Sequence, residues 1–200
     1  MTINWMKLCE TSHQISVDKG WQETERTYHE DTILFHSELS EALEDYRANR
    51  GLNDLYFEIK LTGGEKIEGD EALVEALKKD GTLKDAKPCG IPIELADFLI
   101  RLCQFCGTKG LAGPFAFSMQ CVDVNVPTSL PELLAVCHRD VSDAYEYWQA
   151  RTEYNDNLLS KAAYRIVRFC ETNKIDIEKA IALKEAFNRM RPHKHGGKKI

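Results

Sequence analysis

Two pairs of carboxylates set inside apolar helical stripes restrict this chain more than any other feature. The stretch HSELSEALEDYR, residues 36–47, carries Glu38 and Glu41 beside Leu34, Phe35, Leu39, Ala42 and Leu43. The stretch PIELADFLIRLC, residues 92–103, carries Glu94 and Asp97 beside Ile93, Leu95, Ala96, Phe98, Leu99 and Ile100. Each pair is spaced i, i+3. Three residues turn a helix through about 300°, so the two members of a pair share a face, one turn apart. Acidic residues on helices are ordinarily solvated, but carboxylates set among apolar neighbours lose water and need partners. Two such helices packed face to face would bring four acids into one small volume. A hard divalent cation that prefers oxygen ligands answers that need, and Mg²⁺ in such sites usually also meets substrate phosphates. A di-iron carboxylate site would need Glu-x-x-His on two helices, and neither pair has His in that place.

Composition narrows the function classes. A net charge of −6 disfavours non-specific nucleic-acid binding, and the basic residues cluster only at the C-terminus, from Arg189 to Lys199. No apolar run approaches the roughly 20 residues that span a bilayer. The N-terminus MTINWMKLCETSH lacks the apolar core of a signal peptide, so a cytoplasmic protein without membrane or nucleic-acid partners is expected. Seven cysteines, an odd number, argue against a disulfide framework. Cys103 and Cys106 form a C-x-x-C without a second ligand pair, and they continue an apolar stripe, so they read as buried thiols.

The periodicity predicts an all-α fold, an antiparallel four-helix core with a small β-hairpin insertion. Helices are expected over 3–18, 22–49, 69–81, from Pro92, from Pro131 and over 176–190. Residues 54–68 alternate around Gly63-Gly64 as a hairpin does. KDAKPCGIP and residues 107–129 read as loops. Pro92 suits the start of a helix, which puts Glu94 in the first turn, where the helix dipole favours negative charge. Lys184, Asn188 and Arg191 recur at i, i+4, i+7, a cation, an amide and a guanidinium on one face, which suits a polyphosphate but by residue pattern alone reads as part of a frayed basic tail. Arg101, one turn past Asp97, would support the carboxylates.

An internal repeat is visible. HSELSEALEDY (36–46) aligns without gaps to HRDVSDAYEYW (138–148), matching Glu38 to Asp140 and Glu41 to Asp143. ELADFLIRLCQFC (94–106) aligns to LLSKAAYRIVRFC (158–170), matching Arg101 to Arg165, but Glu94 and Asp97 face Leu158 and Lys161. The chain then reads as one domain, 1–200. Its metal-bearing half is 1–112 with an insertion at 51–90. Its degenerate half is 113–200, ending in a phosphate-binding tail, and Lys161 would supply the positive charge in the lost site.

Glu38-x-x-Glu41 followed by Glu94-x-x-Asp97 resembles the metal motif of the MazG-type all-α nucleoside triphosphate pyrophosphohydrolases, a superfamily that includes dimeric dUTPases and phosphoribosyl-ATP pyrophosphatase. SELSEAL (37–43), GIPIELAD (90–97), Lys184, Asn188, Arg191-Pro192 and His195-Gly196-Gly197-Lys198 carry the likeness further. The resemblance implies Mg²⁺, or Mn²⁺, on Glu38, Glu41, Glu94 and Asp97. It implies phosphate contacts from Lys184, Asn188, Arg191 and Lys198, and Trp21 stacking on a base. The implied reaction is hydrolysis of an NTP or dNTP to the monophosphate and pyrophosphate. The alternatives are a non-catalytic nucleotide-binding or scaffolding protein of the same fold, or a phosphoribosyl-ATP pyrophosphatase. A homodimer fits the resemblance, although a fused repeat would dispense with a second copy. The roughly fifty residues between Glu41 and Glu94 exceed the connection in compact MazG domains, so the insertion must return the chain, as a lid or interface element.

Overall fold

The structure, a computed structural model, describes residues 3–151, 153–154 and 156–197. It is mostly helical with one small antiparallel sheet. α1 (Trp5–Asp18) begins at Asn4, whose side chain accepts the Lys7 N–H. α2 (Tyr28–Arg47) starts later than the expected residue 22 because Thr27 and Glu30 form a reciprocal capping box. That box satisfies two N–H groups and leaves the polar stretch before it outside the helix.

The insertion holds β1 (Tyr56–Leu61), β2 (Lys66–Gly69), α3 (Glu71–Asp80) and β3 (Leu83–Cys89). The hairpin of β1 and β2 is as expected, with Glu58 opposite Glu68 and Lys60 opposite Lys66. The segment read as a loop is instead β3, which completes the order β2-β1-β3 by pairing along the other edge of β1. Lys84-Asp85-Ala86-Lys87 has no apolar alternation to announce a strand. Its conformation comes from the ladder that β1 offers, a tertiary partner invisible to local pattern.

Gly90 then turns the chain at φ 115°, and a Cβ there would lie 2.2 Å from the Asp54 carbonyl oxygen. Only glycine meets both conditions. α4 (Ile91–Thr108) follows with Pro92 in its first turn. Every residue from Ile91 to Cys106 except Arg101 is buried, so α4 is the central helix, packed on α1, on α2 and on α8 (Ile177–Met190). α5 (Ala112–Cys121) occupies part of the stretch expected as loop. Its Pro114 lies in the first turn, where a missing N–H costs nothing, and Phe115 and Met119 anchor it. α6 (Leu130–Arg151) packs on α2 and on α7 (Asp156–Thr172), and α9 (Lys194–Gly197) closes the described chain. Among the described residues no helix is long and apolar enough to cross a membrane.

The aligned segments meet in space. His36 of α2 and His138 of α6 stack at 5.0 Å between ring centroids, with their Nδ1 atoms 2.7 Å apart. Arg101 pairs with Glu38, and at the matched positions Arg165 pairs with Asp140 at 2.8 Å. Arg165 therefore neutralises Asp140. Cys103 and Cys106 are fully buried thiols.

Candidate functional site

α2 and α4 pack so that their acidic faces meet. One carboxylate oxygen from each of Glu38, Glu41 and Glu94 lies within 4.8 Å of the others. Glu38 is 2% exposed and Glu94 4%, whereas Glu41 faces outward. The first helical turn holds Glu94 as the sequence suggests. Asp97, 8% exposed, joins differently. Its Oδ2 lies 2.9 Å from the Lys184 ammonium, and Glu38 hydrogen-bonds to it. On the outer side the Arg101 Nε donates to Glu38 Oε1.

Beside the acids lies a cavity of about 180 Å³. Glu38, Glu41, Asp97 and Arg101 line one part of it, Asn188 and Arg191 of the α8 end another. Trp21, Ile15, Leu34 and Ile100 supply apolar walls. Seven of the residues singled out in the sequence thus share one cavity, with Glu94 in the acid cluster. Lys184, expected on substrate phosphates, is 4% exposed and held in an ion pair with Asp97. Lys198 lies outside the described residues.

Other lining residues escaped sequence reading. Gln104 donates to the hydroxyl oxygen of Ser16, which also lines the cavity, at 2.8 Å, and Ser16 is held from outside the lining by Gln22 at 2.8 Å. Arg26 lines the cavity while bound to Asp31 at 3.0 Å. Gln104 had a usable signal, since Asp97, Arg101 and Gln104 repeat at i, i+4, i+7 and so continue one polar line down an apolar helix. Ser16 and Arg26 had none, because their place depends on how α1 and the following turn fold over α4.

The electrostatics describe a site short of positive charge. Burial, then the neighbouring Asp97 charge, push Glu38 up to about 8, against the pull of Arg101. Burial pushes Glu94 up to about 7, against the pull of Lys184. Burial would raise Asp97 as well, but Lys184 and Arg101 outweigh it and hold Asp97 below the usual range. Glu38 and Asp97 are thus hydrogen-bonded carboxyls that share a proton, with Lys184 drawing the negative charge toward Asp97. The Oε2 of Glu94 is buried with no hydrogen-bond partner among the described residues. Leaving such an atom unsatisfied costs about 1–3 kcal/mol, more if charged.

These residues fit a magnesium ion. The donors are hard oxygens, and an orphaned oxygen belongs to the set. Two oxygens on opposite sides of Mg²⁺ at 2.0–2.1 Å would lie about 4.2 Å apart, so small side-chain rotations close the observed set. Loading must expel the protons held by Glu38 and Glu94, because ligands bind deprotonated. The half-saturating Mg²⁺ concentration, read from the rise in Tm on titration, should therefore fall as pH goes from 6 to 8.5. A pH-independent midpoint would remove these carboxyls from the site.

Comparisons of the chain with protein-family models, with curated proteins and with solved structures find no match.

Proposed function

We propose that the protein is a Mg²⁺-dependent nucleoside triphosphate pyrophosphohydrolase of the MazG-like type, releasing the monophosphate and pyrophosphate. One observation carries the reading: the acid set with its orphaned Glu94 oxygen adjoins the cavity that also holds Trp21, Asn188 and Arg191. Acids for a metal, donors for phosphates and an aromatic ring for a base then stand in one place.

The chemistry follows from those positions. Water adds to the α-phosphorus, and the bond to the oxygen bridging to the β-phosphorus breaks. Magnesium held by Glu38, Glu41 and Glu94 would neutralise the triphosphate and lower the pKa of a bound water. A carboxylate of the set accepts the water's proton. Asn188 and Arg191 donate to phosphate oxygens and stabilise charge on the leaving pyrophosphate. Arg101 fixes Glu38, and Lys184 keeps Asp97 ionised when no metal is present. Trp21 offers a face for the base. The fold assigned with this function is the four-helix core of that superfamily followed by a degenerate second copy. The matched pairs Arg101–Glu38 and Arg165–Asp140 and the His36–His138 stack support the repeat.

The test is a screen of canonical and modified triphosphates with Mg²⁺ or Mn²⁺, detecting pyrophosphate. Release of orthophosphate alone refutes the reaction type. Mg²⁺-dependent nucleotide binding with no product over hours would make the chain a binding protein. Turnover of phosphoribosyl-ATP in preference to every triphosphate would narrow the enzyme to that substrate.

A further inference from the structure

A second concavity, of about 870 Å³, opens between the inserted sheet and the C-terminal end of α8. Its volume lies within the roughly 300–1,000 Å³ of small-molecule sites, and nothing in the chemistry above uses it. Arg191 lines both this groove and the acid cavity. Its guanidinium lies over the Phe187 ring, 5.5 Å from the centroid. It also feels the charges of Asp97 and Glu38 from the acid site and of Asp85 from the sheet. Lys87 makes a second link, since it lines the groove and its charge acts on Glu94.

The groove wall carries Lys60, Lys66, Lys84 and Lys87 with Arg191, against Glu58, Glu68 and Asp85. Glu68 is already taken by Arg50, whose Nη2 lies 2.7 and 2.8 Å from its two oxygens. The balance therefore favours an anion. Between these charges lie the buried Phe187, Pro192 and Met190, which is 74% exposed. A flexible, exposed thioether suits a flat, adaptable contact.

Direction decides the occupant. Arg191 stands at the leaving-group end of the proposed reaction, and the groove begins beyond it. With a simple triphosphate the leaving group ends at Arg191 and the groove stays unused. We infer that the groove receives the second nucleotide of a dinucleoside polyphosphate, its phosphates on the lysines and its base against Met190 and Pro192. This rests on the proposed pyrophosphohydrolase activity and names its substrate class. For a dinucleoside tetraphosphate, water adds to one α-phosphorus and the bond to the bridging oxygen breaks. The water's proton goes to a carboxylate of the acid set. One nucleoside monophosphate forms, and the leaving group departs as a nucleoside triphosphate in place of pyrophosphate.

The experiment compares kcat/KM for each accepted triphosphate with that for the matching P1,P4-dinucleoside tetraphosphate, products being separated by chromatography. The dinucleotide should be favoured at least tenfold. The double variant Lys60→Glu, Lys84→Glu should lose that preference through KM, with triphosphate turnover changed less than twofold. Equal kcat/KM for the two substrates, or equal losses in the variant, overturns the inference and leaves the pyrophosphohydrolase reading standing. If no nucleotide is turned over, that reading has failed, and calorimetric titration with diadenosine tetraphosphate decides the groove by itself. Binding that the double variant weakens at least tenfold supports it, and absent or unaltered binding overturns it.

Discussion

Glu41→Gln should abolish pyrophosphate release while leaving the protein folded. Glu41 is the outward-facing member of the acid set, and its carboxylate oxygen lies within 4.8 Å of those of Glu38 and Glu94. The amide keeps the shape but removes a negative charge and a strong oxygen ligand. A metal contributes several kcal/mol to phosphoryl chemistry by stabilising charge. Losing most of that lowers kcat by on the order of 10³-fold, at about 1.4 kcal/mol per tenfold. In metal-free buffer the Tm should hold or rise, because one of three crowded acids has become neutral. Circular dichroism and Tm accompany the kinetics. Turnover at the wild-type rate would exclude Glu41 from the site, and collapse of the helical signal would mean that it serves the fold.

The second large effect concerns stability and lies in the other half of the chain. Arg165→Met should destabilise the protein by about 3–5 kcal/mol, because it leaves a buried carboxylate without its partner. Asp140 is 2% exposed, and Arg165 reaches it at 2.8 Å from the neighbouring helix. Arg139 also touches Asp140, at 3.1 Å, but its side chain is half exposed, so the loss should fall toward the lower end. Replacing both partners, Asp140→Leu with Arg165→Met, should recover most of it, since an apolar pair has no charge to desolvate. Urea unfolding measures all three proteins. A loss below about 1 kcal/mol for the single variant would show that Arg165 does not hold Asp140. Under the proposed function, the second half lacks the other acidic pair, so Asp140 is expected to be dispensable for chemistry. The ion pair adds that Asp140→Asn should spare turnover per folded molecule and still lower stability.

Legibility in the sequence followed the range of the interaction. The carboxylate pairs, the helical stripes and the hairpin were readable because they rest on periods of 3.6 and 2 and on turn residues, all local. The start of α2 was recorded in Thr27 and Glu30, a capping box that a polar stretch obscured. α5 was hidden by Gly113 and Pro114, although only its first turn contains them. The i, i+4, i+7 line that placed Asn188 and Arg191 at the cavity also placed Lys184 on the same helix. Which member lined the cavity and which was drawn into an ion pair depended on Asp97 approaching from α4.

Residue order alone determined that α2 and α4 would each present two acids on one face, because helical geometry depends only on spacing. It determined as well that Gly90 and Pro92 would break the insertion from the central helix. Tertiary structure decided what became of each charge. Packing brought Arg101 to Glu38 and Lys184 to Asp97, and it left Glu94 Oε2 without a partner. It also laid β3 along β1, opening the groove beside Arg191. Coulomb and hydrogen-bond energies depend on distance and burial, and both are set by how separate elements come together, which no local pattern records.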